Sequence, residues 1–119
     1  MSESGVLVLA HERLDVYQRA IEFLALASRM LEGMPKGNSA LADQLRRAAL
    51  SIPLDIAEGA GKSSRPDPRR FFHDARGSAM ECAAVLDACR VLQLAQQDSL
   101  DSAKHVLVRI VCMLSRMTR

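Results

Sequence analysis

The sequence predicts an all-α protein, an antiparallel up-down-up-down four-helix bundle. Three observations carry this. Apolar residues recur at helical spacing through four segments, each about 20 residues or roughly 30 Å long. The segments are separated by short stretches holding glycine and proline, so consecutive helices pack antiparallel. The apolar palette is aliphatic, with three Phe, one Tyr and no Trp in 119 residues, a composition that favours helices over strands.

The first helix is expected from about Glu12 to Met34. Tyr17, Ala20, Ile21, Leu24, Ala27 or Ser28, and Leu31 form its apolar face. Gly33, Pro35 and Gly37 stop it. The second is expected from Ser39 to Gly61, capped by Ser39 or Asn38. It buries Leu41, Leu45, Ala48, Ala49, Ile52 and Ile56. Pro53 lies inside it, where proline removes a hydrogen bond and costs about 3 kcal/mol. The third starts near Asp67-Pro68 and runs to about Leu94, with Phe71, Ala75, Ser78, Cys82, Val85, Cys89 and Leu92 as core stripe. The fourth runs from about Ser99 to the C-terminus and is apolar over more than half its circumference. Residues 1–11 read as an N-terminal arm and 12–119 as the bundle. The apolar stretch Gly5–Ala10 follows acidic Glu3 and is too short for a signal core.

Two helices carry a second face. On the second, Arg47, Ser51, Leu54 and Glu58 align opposite the core stripe, with Leu50 beside them. On the third, Gly77, Met80, Ala84, Ala88 and Val91 form the back. A monomeric bundle needs one apolar stripe per helix, so the second surface predicts self-association. Arg47, Leu50, Ser51, Leu54, Glu58, Met80 and Ala84 are the expected oligomer interface.

Net charge is +2, from 16 basic and 14 acidic residues, less basic than a dedicated nucleic-acid binder. Arginine is concentrated locally: Arg65, Arg69 and Arg70, followed by Arg76, are the candidate RNA or DNA contacts when repeated around an oligomer. The competing reading is a solvated helix start neutralised by Asp67 and Asp74. Cys82, Cys89 and Cys112 sit in apolar helical pattern and read as buried, reduced thiols, which fits the cytoplasm. No run is long enough to span a membrane, and no membrane partner is expected.

Catalytic and cofactor motifs are weak. Gly61-Lys62-Ser63 ends a helix, and Ile56 stands where a phosphate loop needs its first glycine. His11, His73 and His105 are scattered and give no metal-ligand pair. No cofactor is expected. Level pairing of the second and third helices about the loop near Ser64 sets Ser51 beside Ser78 and Arg47 near Glu81 or Cys82. Arg47, Asp55, Glu58, Arg76 and Glu81 then form a polar cluster. It reads either as a register-fixing ion-pair network or as a small-molecule or enzymatic site around Asp55, Glu58 and Arg76. With no nucleophile in sight, the chain reads as non-enzymatic.

Two runs carry a resemblance. One is Gln44-Leu45-Arg46-Arg47-Ala48 through Ser51-Ile52-Pro53 to Ile56-Ala57-Glu58-Gly59; the other is Phe72 through Ala75-Arg76-Gly77-Ser78 to Glu81, after an opening Leu14-Asp15-Val16-Tyr17. With these the chain resembles the four-helix bundle family encoded in intervening sequences of bacterial 23S ribosomal RNA genes. It is also similar to accessory proteins of diversity-generating retroelements. The resemblance implies a cytoplasmic bacterial homopentamer without established activity; the retroelement proteins are strongly basic and associate with nucleic acid. Leu54-Asp55 stands here where Ala-Asn is usual in the family.

Overall fold

The structure, a computed structural model, describes residues 9–61 and 68–119. A short 3-10 turn, η1 (Ala10–Arg13), precedes four helices: α1 (Asp15–Gly33), α2 (Ser39–Ala60), α3 (Arg69–Val91) and α4 (Gln97–Met117). Each α-helix packs on two neighbours, α1–α2, α2–α3, α3–α4 and α4–α1, and no diagonal pair meets among the described residues. The result is the antiparallel up-down-up-down bundle, with its core along the central axis. The boundary expected between residues 11 and 12 falls inside η1, where the Leu9 N–H donates to the Glu12 carboxylate at 2.7 Å.

Core and surface divide cleanly: no polar or charged residue is buried among the described ones. On α2 the expected stripe holds, with Leu45, Ala48, Ala49, Ile52 and Ile56 buried and Leu41 at its margin. The helix runs unbroken through buried Pro53. On α1 the stripe is turned by one residue. Val16, Ala20, Phe23, Ala27 and Met30 are central, Tyr17, Leu24 and Leu31 flank them, and Ile21 is exposed. Two apolar rows lie side by side on this helix, and Phe23, the bulkiest member, takes the axis.

On α3 the expected stripe is corrected at three places. Phe72 rather than Phe71 enters the core, Ala79 rather than Ser78 lies on the axis, and Leu92 is exposed just after the helix ends. Burial also extends to Leu86, and on α4 to Leu100 and Ala103. Of the cysteines, Cys82 and Cys89 are buried but Cys112 is exposed, against expectation.

The connections follow ordinary backbone chemistry. Gly37 turns the α1–α2 connection with φ of 95°, a conformation in which a side chain is strained. Asn38 precedes α2 as expected, but its amide donates to the Pro35 carbonyl at 2.9 Å instead of capping the helix. After α3, the Leu94 N–H reaches Cys89 and the Gln93 N–H reaches Arg90. That pairing places Gln93 in the left-handed region, φ 57°, where glycine is usual.

Gly59 lies in the last turn of α2, which ends at Ala60 with Gly61 as its C-cap. A Cβ on Gly59 would stand 2.8 Å from Phe72 Cε1 and 3.2 Å from the Cβ of Phe71. The missing side chain is the space into which Phe72 packs. Gly59→Ala is therefore expected to destabilise the bundle. Overpacking costs about 1–3 kcal/mol, against about 1 kcal/mol gained from helix propensity. A lower urea midpoint checks it.

Candidate functional site

The α2–α3 contact carries the polar residues singled out above, and it is built level by level. Ser51 and Ser78 share a hydroxyl–hydroxyl hydrogen bond of 2.6 Å, the pairing expected from the sequence. Ser51 Oγ also reaches the Ala48 carbonyl at 2.9 Å. Two turns toward the start of α2, the Gln44 amide donates to Glu81 at 2.7 Å. Arg47 donates in turn to the Gln44 carbonyl oxygen. Arg47 and Glu81 thus meet through Gln44, a residue the charge pattern alone passed over.

Toward the other end, Asp55 is held among like charges. Its carboxyl is pushed above the usual aspartate range, first by burial and then by the Asp74 and Glu58 carboxylates. Arg76 is absent from this group. Lying two residues before Ser78, it is turned about 200° around α3. There its Nε donates to Ser115 on α4 at 2.8 Å. The expected five-membered cluster is therefore three separate groups: Arg47–Gln44–Glu81, Asp55–Glu58–Asp74, and Arg76–Ser115.

Arg76 belongs instead to a polar ladder on the α3–α4 seam. Asp87 accepts from Lys104 at 2.8 Å and Arg90 donates to Asp101 at 2.8 Å. Each step forward on α3 is matched by the same step backward on α4, from Arg76–Ser115 through Asp87–Lys104 to Arg90–Asp101. The level pairing that sets Ser51 beside Ser78 holds on this seam as well, so the ladder is legible in the sequence.

The expected interface residues lie on the outer side of the α2–α3 pair. Leu50, Leu54 and Met80 are 46%, 58% and 50% exposed, and Arg47, Glu58 and Ala84 are exposed beside them. Ser51 is half-buried in the seam. Arg69 and Arg70 are exposed at the start of α3, where the positive end of the helix dipole disfavours cations. Arg70 lies 5.8 Å from the centre of the Phe71 ring. Arg65 lies outside the described residues.

Other chemistry is sparse. The Cys82 thiol is pushed up to about 12 by burial and by Glu81, and burial raises that of Cys89; both stay protonated and inert at neutral pH. No group of His, Cys, Asp and Glu among the described residues could hold a metal ion. No described helix is long and apolar enough to cross a membrane. A cleft of about 420 Å³, lined in part by Arg29, Gly33, Gln93 and Ser99, lies at the end of the bundle away from Asp55 and Glu58.

The fold and this seam define the class: a small up-down bundle with a polar, closely packed α2–α3 contact. Residues 12–116 match the family model described as 23S rRNA-intervening sequence protein, and the chain belongs to that family. The fold is shared with a crystal structure, at 1.70 Å resolution, of a protein with unknown function from the S23 ribosomal protein family of Bacteroides thetaiotaomicron VPI-5482. The TM-score is 0.79 at 18% identity, over 87% of this chain and 98% of that one. No curated protein matches the chain.

The folded-state pKa of Asp55 is raised, so the folded protein holds the Asp55 proton more tightly than the unfolded chain does. The penalty of the charged form is fully present above the raised pKa and disappears as pH falls toward the ordinary aspartate value. Asp55→Asn is expected to raise the thermal midpoint at pH 7. The advantage over the native chain should shrink as pH is lowered to about 4.

Proposed function

We propose that the protein is a non-enzymatic, self-assembling scaffold whose copies join through the outer α2–α3 face and display a basic patch to nucleic acid. The observation that carries the assembly reading is the trio Leu50, Leu54 and Met80. These large side chains are about half exposed on one side of a bundle whose core is otherwise complete. Alongside them α3 presents Gly77 and Ala84, small residues that let another helix come close. A homopentameric ring in the cytoplasm is the form the family resemblance implies.

The basic patch is Arg69 and Arg70, with Arg65 next to them in sequence. Both side chains are exposed at the start of α3, where a phosphate can reach them. Phe72 is buried and Phe71 half-buried under Arg70, which leaves no free aromatic platform for base stacking. Recognition would therefore run through phosphates, with little sequence preference. A ring multiplies one weak patch per copy into usable affinity.

Two measurements test this. Leu54→Glu is expected to reduce the particle mass seen by light scattering to that of a monomer while the helical circular dichroism signal is unchanged. An unaltered mass would remove the α2–α3 face from the assembly. Binding of labelled single-stranded RNA is expected to weaken steeply with salt. Arg69→Ala with Arg70→Ala should flatten the log–log slope by about 1.4 per copy engaged. No binding at low salt would remove the nucleic-acid reading.

A further inference from the structure

Charge is placed unevenly along this chain. Residues 102–119 hold four of the 16 lysines and arginines and none of the 14 acidic residues. That stretch therefore carries +4 and the remainder of the chain −2. Helical spacing gathers the charge on one face of α4. His105, Arg109, Cys112 and Arg116 stand at i, i+4, i+7 and i+11, and all four are exposed. The row is about 16 Å long, and Arg119, exposed just past the helix end, continues it. Two turns before His105 the same row meets Asp98, so its basic part begins at His105.

The flanks do not neutralise the row. On the α1 side, Asp15 lines a shallow groove with Arg109 and Arg116, but Arg19 pairs with it at 3.5 Å and with Glu22 at 2.8 Å. On the α3 side, Lys104 pairs with Asp87 and Arg76 donates to Ser115. Arg19, Arg76 and Lys104 thus balance Asp15, Glu22 and Asp87. Arg109, Arg116 and Arg119 make no hydrogen bond or ion pair among the described residues.

A row of unpaired guanidiniums fits an extended polyanion. Arg109 and Arg116 are about 10 Å apart along the helix axis, too far to converge on one small anion. The planar guanidinium bonds phosphate through two N–H groups at once, and cations gathered along one helix are the footprint of a nucleic-acid binder. Cys112, between the two arginines, is short and leaves the helix surface open to a strand. The Arg76–Ser115 bond sets the start of α3 level with the end of α4, so the row leads toward Arg69 and Arg70.

We propose that this row is a phosphate track, along which a nucleic-acid strand lies with its backbone on Arg109, Arg116 and Arg119. The inference rests on the nucleic-acid reading and extends its contact surface from Arg69 and Arg70 onto α4.

Binding of labelled single-stranded RNA to the full chain tests it. Arg109→Ala with Arg116→Ala should raise the dissociation constant about tenfold at physiological salt and flatten the log–log salt slope by about 1.4. Helical circular dichroism and particle mass should not change. Arg109→Lys with Arg116→Lys should keep the slope. Arg29→Ala with Lys36→Ala removes the same charge from the other end of the bundle and should leave affinity nearly unaltered. Cys112 is a native reporter: saturating RNA should slow its alkylation by N-ethylmaleimide severalfold, while Cys82 and Cys89 are buried and do not react. The track is overturned if binding survives loss of Arg109 and Arg116 but not of Arg69 and Arg70, a result that leaves the nucleic-acid reading standing. Equal weakening by the Arg29 and Lys36 changes, a fall in particle mass, or unprotected Cys112 also overturns it. Displacement of the RNA by polyglutamate at equal charge would do so as well, by marking an acidic protein as the partner. No binding of RNA at low salt overturns the reading and the track together.

Discussion

The close approach of α2 and α3 is the constraint on which the rest of the molecule depends. Gly59 lacks a side chain, so the Phe72 ring can occupy the place a Cβ would need. At the next levels Ser51 meets Ser78 at 2.6 Å and Gln44 meets Glu81 at 2.7 Å. Gly59 and the Ser51–Ser78 pair let the backbones come together without burying an unsatisfied group, and the longer Gln44 and Glu81 bridge the helices at the exposed rim. An exposed ion pair contributes little to stability, but short hydrogen bonds spaced along two helices admit only one register. The rotation of α3 follows: with Ser78 held in the seam, Ala79 falls on the bundle axis and Arg76 faces α4.

From that rotation the second seam is set. Arg76, Asp87 and Arg90 lie on the α4 side of α3 and find Ser115, Lys104 and Asp101 in step. α3 therefore holds register with both neighbours through polar contacts at the rim while the core remains aliphatic. This division suits a chain with so few aromatic side chains. Leu, Ala, Val and Ile pack well but discriminate poorly between neighbouring registers, so the rim carries specificity and the interior carries the burial energy.

Much of this was legible in the sequence. Four helices, their order and the α2 core stripe follow from periodicity and turn residues, and the level pairing of α2 with α3 places Ser51 opposite Ser78. Rotation was harder to read. On α1 two apolar rows differ by one residue, and on α3 Phe71 and Phe72 are adjacent; periodicity cannot choose between rows that both satisfy it. The choice is made by the partner helix, through the hole at Gly59. Long-range polar pairing was also hidden where a neutral residue intervenes: Gln44 joins Arg47 to Glu81, and a search restricted to charges leaves it out. Cys112 was misplaced for a related reason. α4 is apolar over more than half its circumference, so sequence alone does not show which apolar residues the bundle leaves outside.

That excess of apolar surface on α4 bears on what the bundle is for. A four-helix bundle of this size is complete once each helix has given up one stripe, and here the inward stripe of α4 is fully buried. Val108 on α4 and Leu50, Leu54 and Met80 on α2 and α3 add nothing to that core, yet each leaves apolar surface in water. Single exposed residues of this kind need no explanation, whereas Leu50, Leu54 and Met80 share one face, which is the observation behind the proposed assembly. Asp55 belongs to the same logic. Its carboxyl is held beside those of Glu58 and Asp74 at the cost of a raised pKa, although an amide would fit the seam without that penalty.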